Sequence, residues 1–190
     1  MYANPEKKDE EMKKDIILCG VGGQGILSIA TVIGEAATKA GLQLKQAEVH
    51  GMSQRGGDVQ SHLRLSTETI YSDLIPKGEA DLIISMEPME CLRYLPWLSG
   101  EGWVVTSSKP FINIPNYPSE EALDAELKAL PHIDMRVIEN NMMLLGMAAK
   151  YMEILSAQDL REAIARIFAR KGEAVVEANQ KAFDAGFNAE

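Results

Sequence analysis

Two short segments hold the residues with the most chemistry in them. The first is Gly20-Val21-Gly22-Gly23-Gln24-Gly25. Gly20, Gly22 and Gly25 satisfy G-x-G-x-x-G, with an apolar run (Ile16–Cys19) before them and a helical pattern after them. In such a loop the first glycine permits a tight turn, the second lets a ligand approach the backbone, and the third allows close packing. The following helix offers N–H groups and a positive dipole end to an anion. Gly23 adds another unobstructed N–H, and Gln24 could reach a ligand or a neighbouring chain. The bland reading is a tight crossover and nothing more, and the spacing alone leaves both open. No Gly-Lys-Ser/Thr follows, so a Walker A loop is excluded.

The second segment is His50–Gly57 (HGMSQRGG). Arg55 suits a bidentate contact to a carboxylate or phosphate. His50 is a residue type that could exchange a proton near neutral pH. Ser53, Gln54, Gly56 and Gly57 complete a polar, glycine-bearing loop, and such loops often carry function on a rigid scaffold. His62 and Arg64 share a face of the next strand, adding positive character. The plain alternatives are a solvated His50 and an Arg55 paired only with Asp58. Ser53 lacks the G-x-S-x-G setting of a hydrolase nucleophile. Histidines at 50, 62 and 132 are too scattered to argue for a metal.

The elements that position these loops follow from periodicity. Ile16–Cys19 and Asp81–Met86 read as strands buried on both faces. Ile26, Ile29, Ala30, Ile33, Ala37 and Ala40 recur at helical spacing, with Gly41 as a stop. Leu42–Val49 reads as a strand, and Val59–Leu65 alternates as a half-buried one. Ser66–Thr69 is expected to turn that strand into Ile70–Ile75 as an antiparallel hairpin. Pro88 opens a short helix that Pro96 ends. Trp103–Thr106 and Ile133–Ile138 are further strands, separated by a Pro/Asn-rich loop (Lys109–Pro118) and a helix capped by Ser119. Three helices finish the chain, the first apolar nearly all round from Asn140 to Ile154. The expectation is an α/β, three-layer, Rossmann-like domain with a mostly parallel mixed sheet and C-terminal helices. Residues 1–14 are expected to be a flexible leader and 15–190 a single domain.

Composition narrows the function. The chain has 190 residues and a net charge of −9. That acidity argues against a general nucleic-acid binder. It has two cysteines, Cys19 and Cys91, too few to hold an iron–sulfur cluster alone. There is no signal peptide pattern and no run long enough to span a membrane, so a cytoplasmic protein is expected.

The two loops together carry a resemblance. GVGGQG after an N-terminal strand, then EVHGMSQRGGDVQSHLRL and DLIISMEPMECLRYL, with Asn140-Asn141 opening the apolar helix, resembles the gamma-type domain of the 2-oxoacid:ferredoxin oxidoreductases. The HGMSQRGG form is similar to the small (beta) subunits of the indolepyruvate ferredoxin oxidoreductase type. The resemblance runs from about Asp15 to the C-terminus. It implies an oxidoreductase subunit active only with a large subunit. That partner would carry thiamine diphosphate and the iron–sulfur clusters, and this chain would hold no cofactor alone. Together they would decarboxylate aryl 2-oxoacids such as indolepyruvate, release arylacetyl-CoA from coenzyme A, and reduce ferredoxin, a step of amino-acid catabolism. Under this reading Arg55 contacts an anion, His50 and Gln54 position it, and Gly20, Gly22, Gly23, Gln24, Gly25, Ser53, Gly56 and Gly57 line the binding surface. Two alternatives stay open. One is a small NAD(P)- or nucleotide-binding protein, with Glu48 as the ribose acid. The other is a non-catalytic adaptor using the Met-rich helix.

Overall fold

A computed structural model describes residues 12–50 and 56–189, with His50 described by its backbone alone. Ser53, Gln54 and Arg55, and the greater part of the expected leader, lie outside the described residues. The strands are β1 (Lys13–Val21), β2 (Gln43–His50), β3 (Asp58–Ser66), β4 (Ala80–Ser85), β5 (Leu98–Ser107) and β6 (Ile133–Arg136). The helices are α1 (Ile26–Lys39), α2 (Pro88–Tyr94), α3 (Glu120–Lys128), α4 (Asn141–Ala149), α5 (Ala157–Phe168) and α6 (Glu173–Phe187).

One sheet runs in the order β2-β3-β1-β4-β5-β6. The pairs β1–β4, β4–β5 and β5–β6 are parallel. β3 is antiparallel to both β1 and β2. Side chains alternate across the strands and build two cores. Ile16, Leu18, Leu63, Leu65, Leu82 and Ile84 pack on α1, α4 and α5, with Phe183 of α6 in the same core. Ile17, Cys19, Ile83 and Val104 face Cys91 and Tyr94 of α2 and Leu127 of α3. The three-layer α/β architecture is therefore as expected.

The hairpin after β3 is different. Residues 67–79 form no strand. The side chains of β3 take up this segment's backbone groups instead. Arg64 Nη1 donates to the carbonyls of Ser72 and Leu74, each at 3.1 Å. His62 Nδ1 accepts the Ile75 N–H at 3.0 Å. A segment whose polar groups are satisfied by side chains has no need of a ladder. The antiparallel hairpin is β2–β3, so the His50–Gly57 loop is itself the hairpin connection.

Several boundaries also move, the largest on the sheet being β5, which begins at Leu98 instead of Trp103. β1 begins at Lys13, β6 stops at Arg136, and α4 stops at Ala149. The α4 end tightens into i→i−3 bonds, with the N–H groups of Lys150, Tyr151 and Met152 donating to the carbonyls of Met147, Ala148 and Ala149.

Candidate functional site

The strands β1, β4, β5 and β6 are mutually parallel, so their C-terminal ends lie along one side of the sheet. β2 points the same way, two antiparallel steps from β1. The glycine loop, the His50–Gly57 loop, Met86-Glu87 and the 108–118 segment therefore share one rim. β1 leads to α1 on one face, and β4 leads to α2 on the other. Chain direction across the sheet reverses between these two strands. In open α/β sheets such a switch point, outside the strand ends, is where ligands bind.

The glycine loop is rigid for identifiable reasons. Gln24 Oε1 accepts the Val21 N–H at 2.8 Å, and its Nε2 donates to the Met86 carbonyl at 3.4 Å. Gln24 thus ties the loop to the end of β4, and its amide is spent internally rather than offered outward. Gly20 makes room for it, since a Cβ there would sit 2.9 Å from Gln24 Oε1 and 3.0 Å from Ile26 Cγ1. Gly25 precedes α1 with φ 78°. Its carbonyl accepts from Asn141 Nδ2 at 2.9 Å. Gly23 (φ 102°) is exposed, and a Cβ there would meet nothing within 4 Å. Gly20, Gln24 and Gly25 therefore shape the loop, and Gly22 and Gly23 form its outer part.

The two loops meet through their backbones. Gly22 N–H donates to the Gly57 carbonyl at 2.8 Å, and Gly56 N–H to the Gly22 carbonyl at 3.5 Å. Gly56 has φ 79°, which glycine adopts without strain. A third segment joins them from across the rim. Asn113 Nδ2 donates to the Gly56 carbonyl at 2.8 Å.

Beneath this junction lies Glu87, fully buried. Its Oε2 caps α2 by accepting the Glu90 N–H at 2.8 Å. Its Oε1 accepts the Phe111 N–H at 3.3 Å and the Tyr117 hydroxyl. Burial and this bond to Glu87 push the Tyr117 phenol up, so it stays a donor. Burial also raises the Glu90 carboxyl, against the opposing pull of Arg93. Glu87, Asn113 and Tyr117 escape a reading of the sequence, because a Glu-Pro pair and a Pro/Asn-rich loop look like ordinary turn chemistry. The one available signal is an acidic residue at the N-cap of a helix facing a polar loop.

His62 and Arg64 lie elsewhere than expected in their role. Arg64 Nε and Nη2 bind both oxygens of the buried Asp15 at 2.8 and 2.9 Å. His62 is buried, and its pKa is lowered from 6.5 by burial and by Arg64. Both serve the fold and are not free cations for a ligand.

Glu48 is exposed on β2, two strands from β1, or about 10 Å at the usual strand spacing. The ribose acid of a dinucleotide site stands on the strand next to β1. Cys19 and Cys91 are both fully buried. Burial pushes the Cys91 thiol up to about 12 and the Cys19 thiol well above its usual range. Metal ligation needs thiolates, so these residues do not fit an iron–sulfur cluster. Among the described residues, no group of three or more His, Cys, Asp or Glu side chains is placed to hold a metal ion. No helix among them is long and apolar enough to cross a membrane.

The model of the pyruvate ferredoxin/flavodoxin oxidoreductase family matches residues 15–189. The chain belongs to this family. Among curated members it is 37% identical to the indolepyruvate oxidoreductase subunit IorB of Pyrococcus horikoshii, over 92% of this chain and 95% of that one. It is 34% identical to IorB of Thermococcus kodakarensis with the same coverage. It is 26% identical to the 2-oxoglutarate synthase subunit KorC of Methanothermobacter marburgensis, over 80% of this chain and 85% of that one. The fold agrees with that of solved oxidoreductase chains. The pyruvate oxidoreductase subunit PORC of Thermotoga maritima superposes with a TM-score of 0.68 at 17% identity, covering 92% of this chain and 95% of that one. A 2-oxoglutarate:ferredoxin oxidoreductase from Magnetococcus marinus, solved with 2-oxoglutarate, coenzyme A and succinyl-CoA bound, gives 0.69 at 21% identity. There the match covers 92% of this chain and 30% of the other.

Proposed function

We propose that this chain is the small subunit of an indolepyruvate ferredoxin oxidoreductase, active only with a large subunit. The observation that carries this reading is the near end-to-end match to IorB, with 95% of the Pyrococcus horikoshii subunit covered. The partner carries thiamine diphosphate and the iron–sulfur clusters. Thiamine diphosphate supplies the carbanion stabilisation that decarboxylation of an aryl 2-oxoacid requires. Electrons leave to ferredoxin and the acyl group leaves as arylacetyl-CoA.

This chain contributes a rigid, shaped rim. Gly23, exposed and open above the loop, brings backbone close to an anion or to the partner, and Gly22 joins the two loops beneath it. In the adjoining loop Arg55 holds a substrate carboxylate or a CoA phosphate bidentately. His50, Ser53 and Gln54 supply polar contacts that orient it, and Gly56 and Gly57 meet Gly22 backbone to backbone. The buried thiols support the assignment of electron transfer to the other chain.

Arg55→Ala in the reconstituted enzyme tests the binding role. The KM for the 2-oxoacid or CoA should rise by about tenfold or more, as for loss of a charge-assisted contact. Unchanged KM values with unchanged turnover would remove Arg55 from the site. The nucleotide-binding alternative is tested by titrating the purified chain with NADH. The position of Glu48 favours no binding, and saturable binding would revive that alternative.

A further inference from the structure

The 108–118 segment leaves β5 and ends at α3, yet Asn113 reaches Gly56 beside the start of β3. In the sheet order, β5 and β3 are separated by β4 and β1. Three strand spacings are about 14 Å, so the segment crosses over the ends of both intervening strands. Glu87 stands under this crossing, at the end of β4. It holds the segment at Phe111 N and at the Tyr117 hydroxyl, one on each side of Asn113. Its backbone is fixed in turn by Ser85, whose Oγ donates to the Glu87 carbonyl at 2.6 Å and accepts its N–H at 3.2 Å.

We propose that Glu87 is the positioning residue of this rim: it pins residues 111–117 as a strap, and Asn113 on that strap sets the Gly56-Gly57 backbone against Gly22. The contact between the two loops is then a consequence of Glu87, although Glu87 touches neither of them. A carboxyl group suits the task because each oxygen faces donors, Oε2 the helix cap and Oε1 the strap. A glutamine offers only one carbonyl oxygen and turns N–H against N–H on the other side. Asn113 Oδ1 is buried without a partner among the described residues. Among the described residues, the side chain reaches the loop through its Nδ2 bond to Gly56, and the strap carries it.

Amide hydrogen exchange on the full-length chain tests this. In Asn113→Ala the Gly22 amide should exchange about tenfold faster or more, while Ile17 in the core of β1 keeps its wild-type rate. Glu87→Gln should do the same. The double variant should exceed neither single effect by more than about twofold, because both act through one contact. A Gly22 rate within about twofold of wild type in Asn113→Ala, or additive effects in the double variant, would overturn the proposal. Should Glu87→Gln not fold, Tyr117→Phe removes one strap donor and takes its place in the cycle.

The consequence for catalysis rests on the small-subunit reading. In the reconstituted enzyme Asn113→Ala should raise the KM for the 2-oxoacid or CoA with kcat nearly unchanged. A merely structural residue would lower the amount of active complex and leave KM alone, and that result would overturn the positioning role. An inactive wild-type complex would count against the small-subunit reading, and the exchange data would still decide the strap.

Discussion

Asn141 and Gly25, 116 residues apart, are joined by a 2.9 Å hydrogen bond from Asn141 Nδ2 to the Gly25 carbonyl. The start of α4 thereby fixes the start of α1. A Cβ on Gly25 would lie 2.5 Å from that nitrogen, at a φ of 78°. Gly25→Ala should therefore lose about 1–3 kcal/mol through backbone strain, with more from the displaced amide. Urea denaturation measures it. Adding Asn141→Ala should relieve the clash, so that the double variant is less destabilised than the two single losses summed.

Arg64 and Asp15 form a bidentate ion pair. Asp15 is fully buried and is also approached by Lys13 at 3.0 Å. Removing Arg64 strips the carboxylate of its bidentate partner and frees the carbonyls of Ser72 and Leu74. Arg64→Ala should cost about 3–5 kcal/mol, as for a broken buried ion pair. The denaturation midpoint checks this. An unchanged midpoint would contradict a role for Arg64 in holding Asp15 and residues 72–74.

The pH dependence follows from His62. Its folded pKa lies below 6.5, because burial and Arg64 disfavour the charged ring and Nδ1 must accept the Ile75 N–H. The unfolded chain therefore takes up a proton first as pH falls. The stabilisation is fully present above about 6.5 and is lost as pH falls through the folded pKa. Asp134 is also depressed. Burial alone would raise it, but Lys150 and Arg136 outweigh that, so its loss falls below the ordinary aspartate range. Comparing wild type with His62→Phe between pH 7.5 and 5.5 isolates the histidine. The wild type should lose more stability than the variant over that interval, and parallel curves would contradict the assignment.

Helices α4 and α6 touch through their backbones. A Cβ on Gly146 would lie 2.0 Å from the Phe183 carbonyl oxygen, and one on Gly186 equally close to that of Met143. Neither backbone can yield as a flexible side chain would. Gly146→Ala should force the helices apart and cost at least about 3 kcal/mol. Thermal unfolding measures it. A loss near that of an ordinary surface alanine would show that the helices are not in backbone contact.

The strands of this fold are legible because continuous apolar runs such as Ile16–Cys19 and Asp81–Met86 mark two-sided burial. The helix after the glycine loop is legible from its period. The hairpin partner of β3 is not. Leu42–Val49 and Ile70–Ile75 both flank β3 in sequence with apolar residues enough for a strand, and the choice between them depends on Arg64 and His62 capturing backbone groups of residues 72–75. The glycine loop shows in its spacing, but its spacing cannot tell that Gln24 folds inward or that Gly25 meets Asn141. Glu87 is invisible for a similar reason. Its meaning lies in two donors that come from a loop more than twenty residues away.

Ferredoxin reduction by this chain mixed with the large subunit expected beside it tests the small-subunit assignment. Indolepyruvate-dependent and CoA-dependent reduction should occur with both chains together and with neither alone. Full activity of the large subunit without this chain, or no activity of the mixture while other aryl 2-oxoacids are equally inert, would contradict it.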